Sequence, residues 1–97
     1  MLEQLTVESF QPLTGTSFWV HHEGHKIELR LTSVAKVMES EAARLKRAAF
    51  SLYFLSPLHL PQSIYHITHD AFAEPLDIFL VPIGKDANGF TCEAVFT

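Results

Sequence analysis

Five prolines and four glycines cut the chain, at Pro12, Gly15, Gly24, Pro57, Pro61, Pro75, Pro82, Gly84 and Gly89. Proline removes a backbone donor and clashes with the preceding helical turn, and glycine weakens regular structure. The intervals between these breaks therefore suit strands and are mostly too short for helices. The stretches between them are rich in β-branched and aromatic side chains, which pack well on a pleated surface. Six strands are predicted: Ser17–His22, Lys26–Val37, Ala48–Leu55, Ser63–His69, Leu76–Val81 and Thr91–Phe96.

Within the second of these, Lys26 to Thr32 alternates strictly, with Ile27, Leu29 and Leu31 on one face and Lys26, Glu28, Arg30 and Thr32 on the other. That period of two marks a half-buried strand. Gly24 can take the positive φ of a tight turn, which pairs this strand with Phe18-Trp19-Val20 as an antiparallel hairpin. Asp86-Ala87-Asn88-Gly89 signals a second hairpin, between Leu76–Val81 and Thr91–Phe96. Only Asp77 is polar in Leu76–Val81, so both faces of that strand are expected to be covered, as in the centre of a sheet. Thr91–Phe96 is the candidate edge strand. Thr6 precedes Val7-Glu8-Ser9-Phe10 and can cap one helical turn that ends before Pro12 and plugs one end of the fold.

The fold class that follows is all-β: a single small antiparallel β-sandwich or partly open barrel of about six strands, with a short helical turn near the N-terminus. At 97 residues, the whole of 1–97 forms one domain. Met38 to Arg47 is different, being rich in Glu, Ala, Leu, Lys and Arg. Local propensity there favours helix. Glu39 to Arg47 reads as a loop or short helix between two strands, with one long helix over Ser33–Ala49 as the alternative.

The formal charge is −4, from seven Lys and Arg against eleven Asp and Glu. Such a balance gives no electrostatic reason to approach nucleic acid or an anionic membrane, and neither partner is expected. Cys92 stands alone, so no disulfide framework can form within the chain, which fits a reducing compartment. The first residues, Met1-Leu2-Glu3-Gln4-Leu5, carry acid where a signal peptide carries base, so cytoplasmic synthesis without export is expected. No apolar run approaches the length of a membrane span.

Met1-Leu2-Glu3-Gln4-Leu5-Thr6, Phe10, Leu13-Thr14-Gly15, Leu60-Pro61-Gln62 with Tyr65 and His69, Phe79-Leu80-Val81-Pro82 and Glu93-Ala94-Val95-Phe96 follow one another in this order along the chain. Together they resemble a family of small bacterial domains of unknown function. Two positions depart from that pattern: Ser63 stands where glycine usually follows Pro-Gln, and Cys92 where an aromatic residue commonly precedes Glu-Ala-Val-Phe. The resemblance implies a compact β domain without an assigned activity, associated with phage-tail-like gene clusters. It carries over no catalytic residue.

Several clusters hold side chains capable of chemistry. His21-His22-Glu23-Gly24-His25 holds the densest set of metal-ligand types, suited to Zn, Ni or Fe. Successive strand residues point to opposite sides, so only His21 and Glu23 converge directly, and His25 must reach back across the turn. A solvated hairpin tip is the simpler reading, with His21, Glu23 and His25 as the alternative of a metal-dependent enzyme. His66 and His69 face opposite sides, and His69 suits a core histidine bonded to backbone. Cys92 lacks any elbow or oxyanion-type turn and reads as a small buried hydrophobe.

The aromatic side chains give the stronger clue. Ten of them lie between Phe18 and Phe96, and Trp19 and Tyr53 alternate out of phase with their apolar neighbours. Either the sheet is covered twice or these rings form a contact patch. The expected function is a non-enzymatic protein-interaction or structural module, binding through Trp19, Tyr53 and Phe90 to another protein or another copy, with no cofactor. A small-ligand or carbohydrate binder built on Trp19 and Tyr53 is the other reading.

Overall fold

The computed structural model describes residues 5–36 and 49–96. The expectation for Glu39 to Arg47 lies outside the described residues. Among the described residues there are six strands: β1 Ser17–His22, β2 His25–Lys36, β3 Phe50–Ser56, β4 Ser63–Thr68, β5 Leu76–Asp86 and β6 Gly89–Phe96. They close into an antiparallel barrel in the order β1-β2-β3-β6-β5-β4, with β4 returning to β1. The all-β class and the strand count stand as read from the sequence, and the sheet closes completely.

Closure overturns two expectations. β6 pairs with β3 from Phe50↔Phe96 to Ser56↔Phe90 and with β5 from Val81↔Glu93 to Asp86↔Gly89, so Thr91–Phe96 is not an edge. Nor is Leu76–Val81 a doubly covered central strand, because Asp77 and Phe79 face solvent. A closed barrel has one interior, and whatever alternates out of it must be exposed.

The interior takes alternate residues of every strand: Phe18 and Val20, Ile27, Leu29 and Leu31, Leu52 and Phe54, Tyr65 and Ile67, Ile78 and Leu80, Cys92 and Ala94. Helix α1, Val7–Phe10, is a single turn. At its start the Thr6 N–H donates to Ser9 Oγ (3.1 Å) and the Ser9 N–H donates to the Thr6 carbonyl (2.9 Å). Its purpose lies in Phe10, which is fully buried with ring centroids 5.5 to 6.4 Å from Phe96, Phe72, Phe50 and Phe18. The turn plugs one end of the barrel, as expected.

The β1–β2 hairpin closes through Glu23 at φ 50 and Gly24 at φ 78, the paired left-handed conformation whose twist matches that of two-residue hairpins. Two bulges shape the longer strands. In β2 the register shifts between Leu31 and Ser33, where Thr32 donates its hydroxyl to the Tyr53 carbonyl (3.0 Å). In β5 it shifts between Pro82 and Gly84, making Ile83 the extra residue. A proline lacks a ladder donor and is tolerated in a strand at such a bulge. That is why β5 runs past Val81 to Asp86, further than predicted.

Candidate interaction surface

The outer side of β4, β5 and β6 carries an apolar row. Ile64 of β4 sits opposite Phe79 of β5. The β5–β6 pairing ends at Val81↔Glu93; Val95, two residues beyond Glu93 on β6, lies on the same outer side of the barrel. These side chains are 66 % (Ile64), 48 % (Phe79) and 57 % (Val95) exposed, and Ile83 further along β5 is 50 % exposed. Half-buried Val81 joins the two parts of the row. Single exposed apolar residues are ordinary, but a directly opposed pair, Ile64 and Phe79, with Val95 on the next strand, is the kind of grouping that marks an interaction site.

Carboxylates flank this row. Asp77, two residues before Phe79, contacts His66 Nδ1 through Oδ1 across the β4–β5 pair. Glu93 accepts the Tyr53 hydroxyl at Oε2 (3.0 Å). That bond, with burial and the Glu93 charge behind it, pushes the Tyr53 phenol above its usual range. Asp70 and Glu74 lie in the connection leading into β5. Of the four Lys and Arg among the described residues, Lys26, Arg30 and Lys36 lie on β2, and Lys85 Nζ sits 5.3 Å from the Phe90 ring. β2 is three places from β5 around the barrel in either direction. Three of these four cations thus lie across the barrel from the exposed apolar side chains of β5, while Lys85 lies at the far end of β5 itself.

Beside Ile64 opens a cleft of about 680 Å³ between the β1–β2 tip and β4, lined by His21, His22, Glu23 and His66 together with Pro61, Tyr65 and others. His22 Nε2 lies 3.2 Å from Glu23 Oε1, and its ring meets Tyr65 edge-on at 5.4 Å. Tyr65 donates its hydroxyl to the Pro61 carbonyl (2.5 Å), and burial pushes that phenol up. The cleft gathers His21 and Glu23 but not His25, which pairs with His22 across the turn. Among the described residues no three His, Cys, Asp or Glu side chains are arranged to hold a metal ion.

His69 sits just past β4, half-buried, its ring 4.3 Å from that of Phe18. Nδ1 accepts the Ala71 N–H (2.9 Å). The Thr16 hydroxyl donates to the Leu13 carbonyl (2.6 Å), which leaves Thr16 Oγ1 to accept from His69 Nε2–H (2.9 Å). The ring therefore ties the β4–β5 connection to the segment before β1. Cys92 is fully buried in the core, and burial pushes its thiol up.

Trp19, Tyr53 and Phe90 occupy three different strands, β1, β3 and β6. Trp19 is half-buried under Lys26 Nζ, 4.8 Å from the ring centroid. Tyr53 is engaged with Glu93, and Phe90 has Lys85 on it and the His59 ring 5.7 Å away. Each has its own cover. The more exposed apolar side chains are Leu58, in the connection after β3, and Ile64, Phe79, Ile83 and Val95 on the outer side of β4, β5 and β6, none of which sequence reasoning selected as binding residues. Their signal was present: Phe79 and Val81 share the phase of Asp77, the residue least suited to an interior.

Among the described residues no helix is long and apolar enough to cross a membrane. The family model described as Domain of unknown function (DUF6916) matches residues 5–96. No curated protein and no solved structure matches the chain.

Proposed function

The chain belongs to the family of the Domain of unknown function (DUF6916), and on that footing we propose that it is a non-enzymatic protein-interaction module that docks through the outer face of β5. The observation that carries this reading is the exposed row of Ile64, Phe79 and Val95 on three adjacent strands. Among the described residues the six strands each have a neighbour on both sides, and only the β1–β4 seam, with two residue pairs, leaves part of its ladder open, so the outer face of β5 offers an incoming strand no edge. Recognition then falls to side chains: apolar contact supplies affinity, and the flanking Asp77 and Glu93 supply choice of partner. A cytoplasmic accessory of a multi-copy assembly, of the phage-tail-like or secreted kind suggested by the family resemblance, would use such a face.

The test is a photo-reactive phenylalanine analogue placed at position 79 or 64 of the full chain in native cells. Irradiation should give discrete protein adducts from both positions and none from position 11, an exposed site in the turn after α1. Failure to form any adduct from position 79 or 64 overturns the reading.

A further inference from the structure

Away from the β5 face lies a second cleft, of about 330 Å³, lined by Glu28 and Arg30 of β2, Leu55 of β3, Pro57, and Asn88 of the β5–β6 turn. Its walls combine apolar Leu55 and Pro57 with an exposed guanidinium. The volume is ample for an aromatic ring, since a cavity of roughly 150 Å³ admits benzene. Glu28, its one carboxylate, already accepts the Ser17 hydroxyl. Lys26 stands two residues from Glu28 on the same outer side of β2.

The β5 face is the chemical complement of this cleft. Phe79 is a half-exposed ring with Asp77 before it on the same strand and Glu93 on the neighbouring one. Ring meets Leu55 and Pro57, and carboxylates meet the exposed guanidinium of Arg30. One chain cannot satisfy itself. The cleft belongs to β2 and β3, on the far side of the strand order. Even its nearest contribution from the β5 side, the turn at Asn88, is separated from Phe79 by roughly 23 Å of extended strand.

Resting on the docking role proposed above, we infer that the occupant of the β5 face is a second copy of this chain, with Phe79 of one copy seated in the Arg30 cleft of the next. Knob and hole are different surfaces, so the contact is head-to-tail. Such contacts propagate into a ring if the rotation closes and into a filament if it does not. A patch of this size alone makes a weak joint, because stable interfaces bury about 800 Å² per partner. The assembly therefore forms at high local concentration.

Sedimentation velocity on the purified full chain should show species larger than a monomer as concentration rises toward roughly 1 mM. Raising the salt from about 0.1 to 1 M should reverse this, because the charge pairs lie at the rim and are screened. Phe79→Asp retains only the hole and Arg30→Glu retains only the knob, so each alone should remain monomeric. Mixed together, the two should form a one-to-one dimer that grows no further. Circular dichroism confirms that each is folded; should Arg30→Glu unfold, Asn88→Trp fills the same cleft from an exposed turn and takes its place.

A wild-type chain that stays monomeric throughout overturns the inference. So does self-association in which the mixed variants fail to pair, because that describes a two-fold contact. Adducts from position 79 to a different protein, with the purified chain monomeric, would leave the docking role standing while this inference falls.

Discussion

At the scale of single residues, the two hairpin turns place opposite demands on glycine. Gly24 has φ +78 with nothing within 4 Å of where a Cβ would stand, so its constraint is purely conformational. Gly89 has φ +138, and a Cβ there would lie 2.6 Å from the Ser56 carbonyl oxygen, which β3 holds against β6. Gly24→Ala should therefore cost about 1 kcal/mol, the ordinary penalty of a left-handed side chain. Gly89→Ala should cost more, about 2–3 kcal/mol, because strain and collision add. Urea midpoints of the two variants check the order, and equal losses would contradict the crowding at Gly89. Both glycines were legible as turn signals in the sequence. The collision was not, since Ser56 is more than thirty residues away and meets Gly89 only through the barrel.

Secondary elements were legible where one face met water and one met the core. Lys26 to Thr32 alternates cleanly and lies in β2 with Ile27, Leu29 and Leu31 inside. Leu76–Val81 defeated the same logic, because an apolar residue facing out of a closed barrel reads in sequence like one covered by a second layer. Edge status was illegible in Thr91–Phe96 for a related reason: closure is decided by distant partners that leave no local mark. The α1 turn shows the reverse case. Four residues cannot sustain a helix by propensity, and what fixes α1 is Phe10 seated among four other phenylalanine rings. Phe10→Ala should cost about 3–5 kcal/mol, the usual loss for removing a buried ring. Total stability of small domains is about 5–15 kcal/mol, so the variant should be marginal. A urea midpoint lowered with unchanged slope is the expected measurement. An unshifted midpoint would mean that the plug rests on the barrel without contributing to it.

For the whole molecule, a closed barrel is only as firm as its shortest seam. β3 and β6 share seven residue pairs, whereas β4 meets β1 through only Trp19↔Thr68 and Val20↔Ile67, reinforced by a 3.4 Å contact from Thr68 Oγ1 to the Trp19 carbonyl. Opening there needs the fewest ladder bonds broken, and it leaves β4, β5 and β6 paired to one another with the Ile64, Phe79 and Val95 row undisturbed. The docking face thus sits on the part of the barrel that survives partial opening. Local opening free energies in native proteins range from near zero to the global value, and lightly bonded elements occupy the low end. Native-state hydrogen exchange should therefore find the amides bonded across the β1–β4 seam opening more readily than those bonding Leu52 and Phe54 of β3 to β6. Such a gap separates sub-global opening at the seam from cooperative unfolding. Equal protection across both pairs would show that Val20 and Ile67, fully buried in the core, weld the seam as strongly as seven pairs weld its opposite number. Closure would then be a property of the core and not of the ladder.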